Sequence, residues 1–253
     1  MSCEDCFKTV QHSGTALGRS ETIAGVQTYI SEPKDAGAQR NVLLYFSDVF
    51  SPFYINNQLI QDYFASHGFT VLGLDYFLGD RLDTLQKEPG FSRDAWRDKS
   101  LKQAQEHTPK WVEAVKQKYG TTNVNYFAVG YCFGAPYVFA LANDPNFNLA
   151  AGAVAHPSGI FDRTTNVLKE EVIKNCIAPM LFSCAEIDPA FPTNARRQTE
   201  DILVNKKALY HFQIFSGVSH GFAVRCDPSV EVQRWAKEES ARGVLQWFKR
   251  FSA

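Results

Sequence analysis

Cys132 stands at the centre of Gly130-Tyr131-Cys132-Phe133-Gly134, directly after the apolar run Val124–Val129 and directly before another apolar stretch. The spacing G-x-Nu-x-G is the nucleophile-elbow pattern, with cysteine in the usual serine position. Each part has a physical reason. The central residue is held in a strained turn, and small flanks let the strand and helix backbones pass close together. A sulfur at a helix N-terminus meets partial positive charge, which favours its thiolate. The next N–H, that of Phe133, is then placed to donate to a developing oxyanion. The competing reading is a buried structural cysteine.

Such a nucleophile needs a base and an orienting acid, expected in the order nucleophile, acid, histidine. Cys184-Ala185-Glu186-Ile187-Asp188-Pro189 offers Asp188, in a turn before two prolines, with Glu186 as its rival. Ser216-Gly217-Val218-Ser219-His220-Gly221-Phe222 offers His220, flanked by small residues that free its ring to enter a pocket. Asp188 would orient His220 and stabilise its imidazolium. His12, His67, His107 and His211 read as surface or structural groups. His156, in Ala155-His156-Pro157-Ser158-Gly159, follows a central apolar run. It reads as pocket lining, a loop-fixing hydrogen bonder or a direct substrate contact.

The elements that must position these side chains are legible as alternation. Strands are expected at Val26–Ile30, Val42–Phe46, Thr70–Leu74, Val124–Val129, Ala150–Ala155, Met180–Cys184 and Leu209–Phe215. Several are apolar throughout, as strands covered on both faces are. Helices are expected at Ile55–Ser66, Asp94–Tyr119, Gly134–Ala142, Thr193–Val204 and Val230–Phe251, with Pro109 breaking or kinking the second. This is an α/β pattern, a mostly parallel sheet with helices on both faces. Ligands bind such sheets in the loops beyond the strands' carboxyl ends. Nearly every unusual residue falls in one of those loops.

No repeat or linker divides the chain, so residues 1–253 read as one domain with residues 1–17 as an N-terminal arm. The formal net charge of −1 gives no electrostatic case for nucleic acid or an anionic membrane. No apolar run approaches the ~18–20 residues that span a bilayer, and Met1-Ser2-Cys3-Glu4-Asp5-Cys6 is unlike a signal peptide. These features predict a cytoplasmic protein acting as a monomer or homodimer. The six cysteines are scattered, as reduced thiols are. Cys3 and Cys6 form C-x-x-C, but no second Cys or His pair stands at zinc spacing, so no metal is expected. They read as free thiols, with a redox pair as the alternative.

With these residues in place, the chain resembles the dienelactone hydrolase (carboxymethylenebutenolidase) family, its eukaryotic and fungal branch in particular, from about Gly18 to the C-terminus. The resemblance rests on Gly-Tyr-Cys-Phe-Gly at 130–134, Glu186-Ile187-Asp188 and Ser219-His220-Gly221-Phe222, with Ala155-His156-Pro157-Ser158 and Asp75-Tyr76 beside them. It implies the α/β-hydrolase fold, a Cys132–His220–Asp188 triad and no cofactor. Ser47-Asp48-Val49-Phe50 matches the segment that supplies the second oxyanion-hole amide, so Val49 N–H would join that of Phe133. Asp48 stands where bacterial members carry a glutamate that interacts with the resting thiol; its alternative is a cap on the helix near Ile55. Bacterial members clamp the substrate carboxylate with arginines. Arg81 and Arg225 lie close to those positions without matching them, which turns the expectation away from dienelactone itself.

The expected reaction is acyl transfer from an ester or lactone to Cys132, then hydrolysis of the thioester. A thiolate is displaced too readily for amides, so activated esters and enol lactones suit it better. Tyr76, Arg81, His156, Phe222, Arg225 and Asp48 are the candidate substrate-binding residues. The rival functions are a non-catalytic ligand-binding protein on this scaffold, and a thiol redox sensor using Cys132.

Overall fold

The computed structural model describes residues 8–35 and 40–252, so Cys3 and Cys6 lie outside the described residues. The strands are β1 (Arg19–Ile23), β2 (Val26–Ser31), β3 (Arg40–Phe46), β4 (Phe69–Leu74), β5 (Val124–Tyr131), β6 (Leu149–Ala155), β7 (Phe161–Asp162), β8 (Val167–Leu168), β9 (Met180–Ile187) and β10 (Tyr210–Ser219). Eight of them form one sheet in the order β1-β2-β4-β3-β5-β6-β9-β10, and β7 pairs with β8 apart from it. Both contacts of β2 are antiparallel, and the remaining contacts of the large sheet are parallel.

Side-chain alternation along the central strands builds a core on each face. Val42, Leu44 and Phe46 of β3 join Trp111, Val115 and Phe139 on one side. Leu43 and Tyr45, between them, join Ile60, Phe64 and Phe248 on the other. The first face is covered by α3 (Arg93–Tyr119), α4 (Ala135–Ala142) and α6 (Thr193–Asn205), the second by α1 (Ile55–Ala65) and α8 (Glu231–Arg250). The expected α/β sheet with helices on both faces is what the chain builds.

Three departures from the sequence reading have physical causes. Pro109 neither breaks nor splits α3, which runs unbroken from Arg93 to Tyr119. Proline inside a helix costs about 3 kcal/mol. Downstream of it, Trp111, Val112 and Val115 are buried, and the Trp111 indole N–H donates to Thr28 Oγ1 at 2.8 Å. Burial of one large apolar side chain returns about 1.5–3 kcal/mol, so this docking outweighs the loss. The strand β1 escapes a periodicity search because Arg19-Ser20-Glu21-Thr22-Ile23 is a polar edge held by pairing to β2. Finally, β9 and β10 run beyond their expected ends, to Ile187 and Ser219, with a register shift between Phe215 and Ser219. Gly217, at φ +72°, supplies the left-handed turn inside that irregularity.

The chain runs from β3 outward to β4 on one side, then returns to place β5 on the other. Loops leaving β3 and β5 therefore diverge, and the crevice between them is where open α/β sheets bind ligands.

Candidate active site

The turn after β5 is built by close backbone approach. A Cβ on Gly134 would lie 2.2 Å from the Phe46 carbonyl oxygen, and one on Gly130 2.7 Å from the Gly134 oxygen. No larger residue fits at either place. Cys132 itself takes φ +48° and opens a short 3-10 turn, Cys132–Gly134, that runs into α4. A non-glycine residue at positive φ stores backbone strain of order 1–3 kcal/mol, held here by the packing around it.

His220 follows β10 directly, and its N–H donates to the Ile187 carbonyl at 3.0 Å, so the extended pairing of β9 and β10 fixes it. Its Nε2 lies 3.1 Å from Cys132 Sγ, and its Nδ1 lies 2.9 Å from both carboxylate oxygens of Asp188. Asp188 is held in turn by the N–H groups of Ala190 and Phe191, which donate to Oδ1 at 2.8 and 3.2 Å. Glu186, the rival acid, lies within β9 and accepts the Gly217 N–H at 2.7 Å, so it braces the bulge instead. Burial opposes charge on His220. The Cys132 sulfur and the Asp188 carboxylate outweigh it and carry the imidazole well above its ordinary value. Away from this cluster, burial pushes the Cys176 thiol up to about 11 and raises Cys184 and Cys226 as well.

Asp48 is fully buried in the loop after β3. Its Oδ1 accepts from the Phe50 N–H at 3.2 Å and from Asn57 Nδ2 at 2.9 Å, and its Oδ2 lies 3.1 Å from Arg225 Nε. It does not cap α1, whose N-cap is Tyr54. Burial raises the Asp48 carboxyl, the Arg225 guanidinium and the Asn57 amide pull it down, and the Cys132 sulfur pushes it up again. Arg225, in α7 (Phe222–Arg225), is buried with its guanidinium 5.3 Å from the Phe50 ring centroid. Arg225, a candidate substrate-binding residue in the sequence, is thus an interior partner of Asp48. Val49 and Phe133 are each three residues beyond Phe46 and Gly130, which lie opposite one another in β3 and β5. Their main chains flank the same crevice.

The Tyr76 hydroxyl donates to the Ser47 carbonyl, and its ring packs on Phe133 and Tyr137 at 5.3 Å each, so it braces the loop that carries Asp48 and Val49. His156, at φ +37°, is fully buried. Its ring meets His220 edge to face at 5.0 Å and Phe222 at 5.7 Å, and among the described residues neither ring nitrogen has a hydrogen-bond partner. Burial first, then the charges of His220 and Arg225, hold it well below the ordinary histidine value. Arg81 is the one candidate left outside this cluster. It chelates Asp83 through Nε and Nη2 at 3.1 and 2.7 Å at the start of α2 (Leu82–Leu85), with its side chain 43% exposed.

Two contributors escaped the sequence reading. Asn57 ties Asp48 to the Tyr45 hydroxyl, which donates to Asn57 Oδ1 at 2.6 Å; an asparagine pair in the first turn of α1 was the available signal. The arm is also part of the site region. Lys8, Thr9 and Val10 line a cavity of about 210 Å³ with Ser219, His220, Phe222 and Arg225. His12, read as a surface or structural group, is structural: it is buried, with Nε2 2.9 Å from the Cys226 carbonyl oxygen and Nδ1 2.7 Å from Lys237 Nζ. Among the described residues, no three His, Cys, Asp or Glu side chains gather where they can hold a metal ion, and no helix is long and apolar enough to cross a membrane.

The dienelactone hydrolase family profile matches residues 26–252 of this chain. The chain belongs to the dienelactone hydrolase family. It is accordingly a carboxylic ester or lactone hydrolase. Two relatives from Gibberella moniliformis, "Dienlactone hydrolase 1" and "Dienlactone hydrolase 2", are 35% and 33% identical to it. Each alignment covers 96% of this chain, with 91% and 92% of the relatives' lengths. Among solved structures, a putative dienelactone hydrolase from Klebsiella pneumoniae superposes with a TM-score of 0.72 at 13% identity. That superposition covers 93% of this chain and 99% of the other, and establishes the shared fold.

Proposed function

We propose that this hydrolase works through Cys132 as nucleophile, His220 as general base and acid, and Asp188 as the group that orients His220. The observation that carries the reading is the contact of His220 Nε2 with Cys132 Sγ at 3.1 Å while both Asp188 oxygens hold Nδ1 at 2.9 Å. His220 Nε2 takes the thiol proton, and the thiolate attacks the carbonyl carbon of an ester or lactone. The Val49 and Phe133 N–H groups donate to the oxyanion, each such donor contributing about 2.7–4 kcal/mol in the transition state. The imidazolium then gives its proton to the departing alkoxide or enolate, leaving a thioester. Water attacks this thioester with His220 as base, and the thiol is restored.

Asp48 is assigned to tune the sulfur, because a buried carboxylate beside it disfavours the thiolate and Arg225 offsets that charge. Phe222 and His156 back the His220 ring, and Tyr76 braces the oxyanion loop. Arg81, chelated by Asp83, is left to a peripheral contact with substrate. The substrates favoured are activated esters and enol lactones, whose leaving groups depart more easily than an amine.

The test is hydrolysis of a chromogenic aryl ester and of an enol lactone by wild type and by Cys132→Ala. Turnover should be lost in the variant while its far-UV circular dichroism is unchanged. Wild-type rates in Cys132→Ala would refute the assignment. Alkylation of Cys132 in a wild type that turns over no ester would favour a redox sensor instead.

A further inference from the structure

The loop that leaves β6 is held on every side. The His156 N–H donates to the Ser183 carbonyl at 2.8 Å, and the Ser158 N–H donates to the Cys132 carbonyl at 3.1 Å. Lys169 Nζ donates to the Gly159 carbonyl at 2.8 Å. Gly159 takes φ +79°, and a Cβ there would lie 2.8 Å from Pro136 Cγ at the start of α4. These ties set one side chain against the reacting sulfur: Ser158 Oγ is 3.7 Å from Cys132 Sγ.

We propose that Ser158 is a catalytic residue, its hydroxyl donating a hydrogen bond to the Cys132 thiolate in addition to the His220 contact. The inference rests on Cys132 being the nucleophile. When His220 Nε2 takes the thiol proton, the sulfur keeps the electron pair and can only accept. The Ser158 hydroxyl carries its proton toward the sulfur and transfers nothing. At 3.7 Å the contact is loose in the neutral pair, and charge on the sulfur strengthens the attraction that draws the hydroxyl in. Hydrogen bonds to an ionised partner are shorter and about twice as strong as neutral ones.

The surroundings explain why a second donor matters. The charged and titratable groups around the sulfur and its His220 partner are His220 after β10, Asp188 after β9, Asp48 after β3 with its partner Arg225 of α7, Tyr76 after β4 and His156 after β6. Asp48 opposes a negative sulfur from within the fold. Ser158, half-buried, supplies an uncharged donor to it.

The experiment follows Cys132 alkylation by iodoacetamide against pH, resolved by peptide mass spectrometry, in wild type, Ser158→Ala and Ser158→Thr. Ser158→Ala should move the midpoint up by about one pH unit, a tenfold loss of thiolate below it, and lower kcat/KM about tenfold. Ser158→Thr, which keeps the hydroxyl, should return both toward wild type. A purely structural serine would leave the midpoint alone, so an unchanged midpoint in Ser158→Ala overturns the proposal. The alkylation needs no substrate. Failure of the nucleophile assignment would instead show as ester turnover in Cys132→Ala, whatever the midpoint.

Discussion

Replacing His156 by asparagine probes the least expected feature of the site, an imidazole buried behind that of His220 with neither nitrogen bonded among the described residues. Asparagine is chosen because it tolerates the positive φ of that position and does not titrate. In the folded protein His156 is held well below its ordinary value of 6.5, by burial and then by the His220 and Arg225 charges, so the ring stays neutral. In the unfolded chain it takes up a proton as pH falls through 6.5. Below that point the unfolded state binds the extra proton, and stability falls with falling pH. Each pH unit of this imbalance is worth about 1.36 kcal/mol. Between pH 7.5 and 5.0 only the last one and a half units count, so His156 accounts for about 2 kcal/mol of lost stability. Urea unfolding of both proteins at the two pH values measures it. The asparagine variant starts less stable because of the space it leaves, yet loses about 2 kcal/mol less on acidification. His12, also lowered by burial and Lys237, contributes equally to both proteins and cancels. Equal acid losses in the two proteins would show that the folded ring is solvated or charged, and the account of His156 would fail.

Three further outcomes follow from the same geometry. Gly134→Ala places a Cβ 2.2 Å from the Phe46 carbonyl oxygen in the middle of the sheet, so it should cost about 1–3 kcal/mol in urea unfolding and abolish ester hydrolysis; wild-type activity would contradict the close approach. Arg225→Met leaves the buried Asp48 carboxylate unpaired and should cost about 3–5 kcal/mol, with Asp48→Asn in the same chain restoring much of it. Additive losses in that double-mutant cycle would mean that the pair is not coupled. The kcat/KM profile should keep its plateau above pH 6.5 and fall only as pH rises through the raised His220 value, and the stability due to that ring is likewise complete below 6.5 and lost through the higher value. A decline already centred on 6.5 would remove the imidazolium from the mechanism.

What was legible in the sequence was what local pattern encodes. Val42–Phe46 reads as a strand because a continuous apolar run needs cover on both faces, and both faces are covered. Gly130 and Gly134 announce a tight turn before any contact is known. The misread elements were those whose stability comes from elsewhere: Pro109 sits inside a helix because Trp111 and Val115 are anchored beyond it, and β1 exists because β2 is beside it. Among site residues, Asp188 and Glu186 are equivalent by composition, and only the register of β9 against β10 turns one toward His220 and the other toward Gly217. Arg225 and Asp48 belonged to separate rationales, a substrate contact and a carboxylate that meets the thiol or caps a helix, until the fold set them 3.1 Å apart.

By itself the sequence determined the strand–turn–helix around Cys132, the chain order of Cys132, the candidate acids and His220, and the α/β class, because these follow from spacing, periodicity and small residues within a few positions of one another. The tertiary structure alone decided which acid faces His220, that Arg225 is an interior counter-ion of Asp48, that His156 is buried behind His220, and that Ser158 Oγ lies 3.7 Å from the Cys132 sulfur. Each of those depends on burial and on distances between segments far apart in the chain, where a change of one residue in strand register exchanges one partner for another.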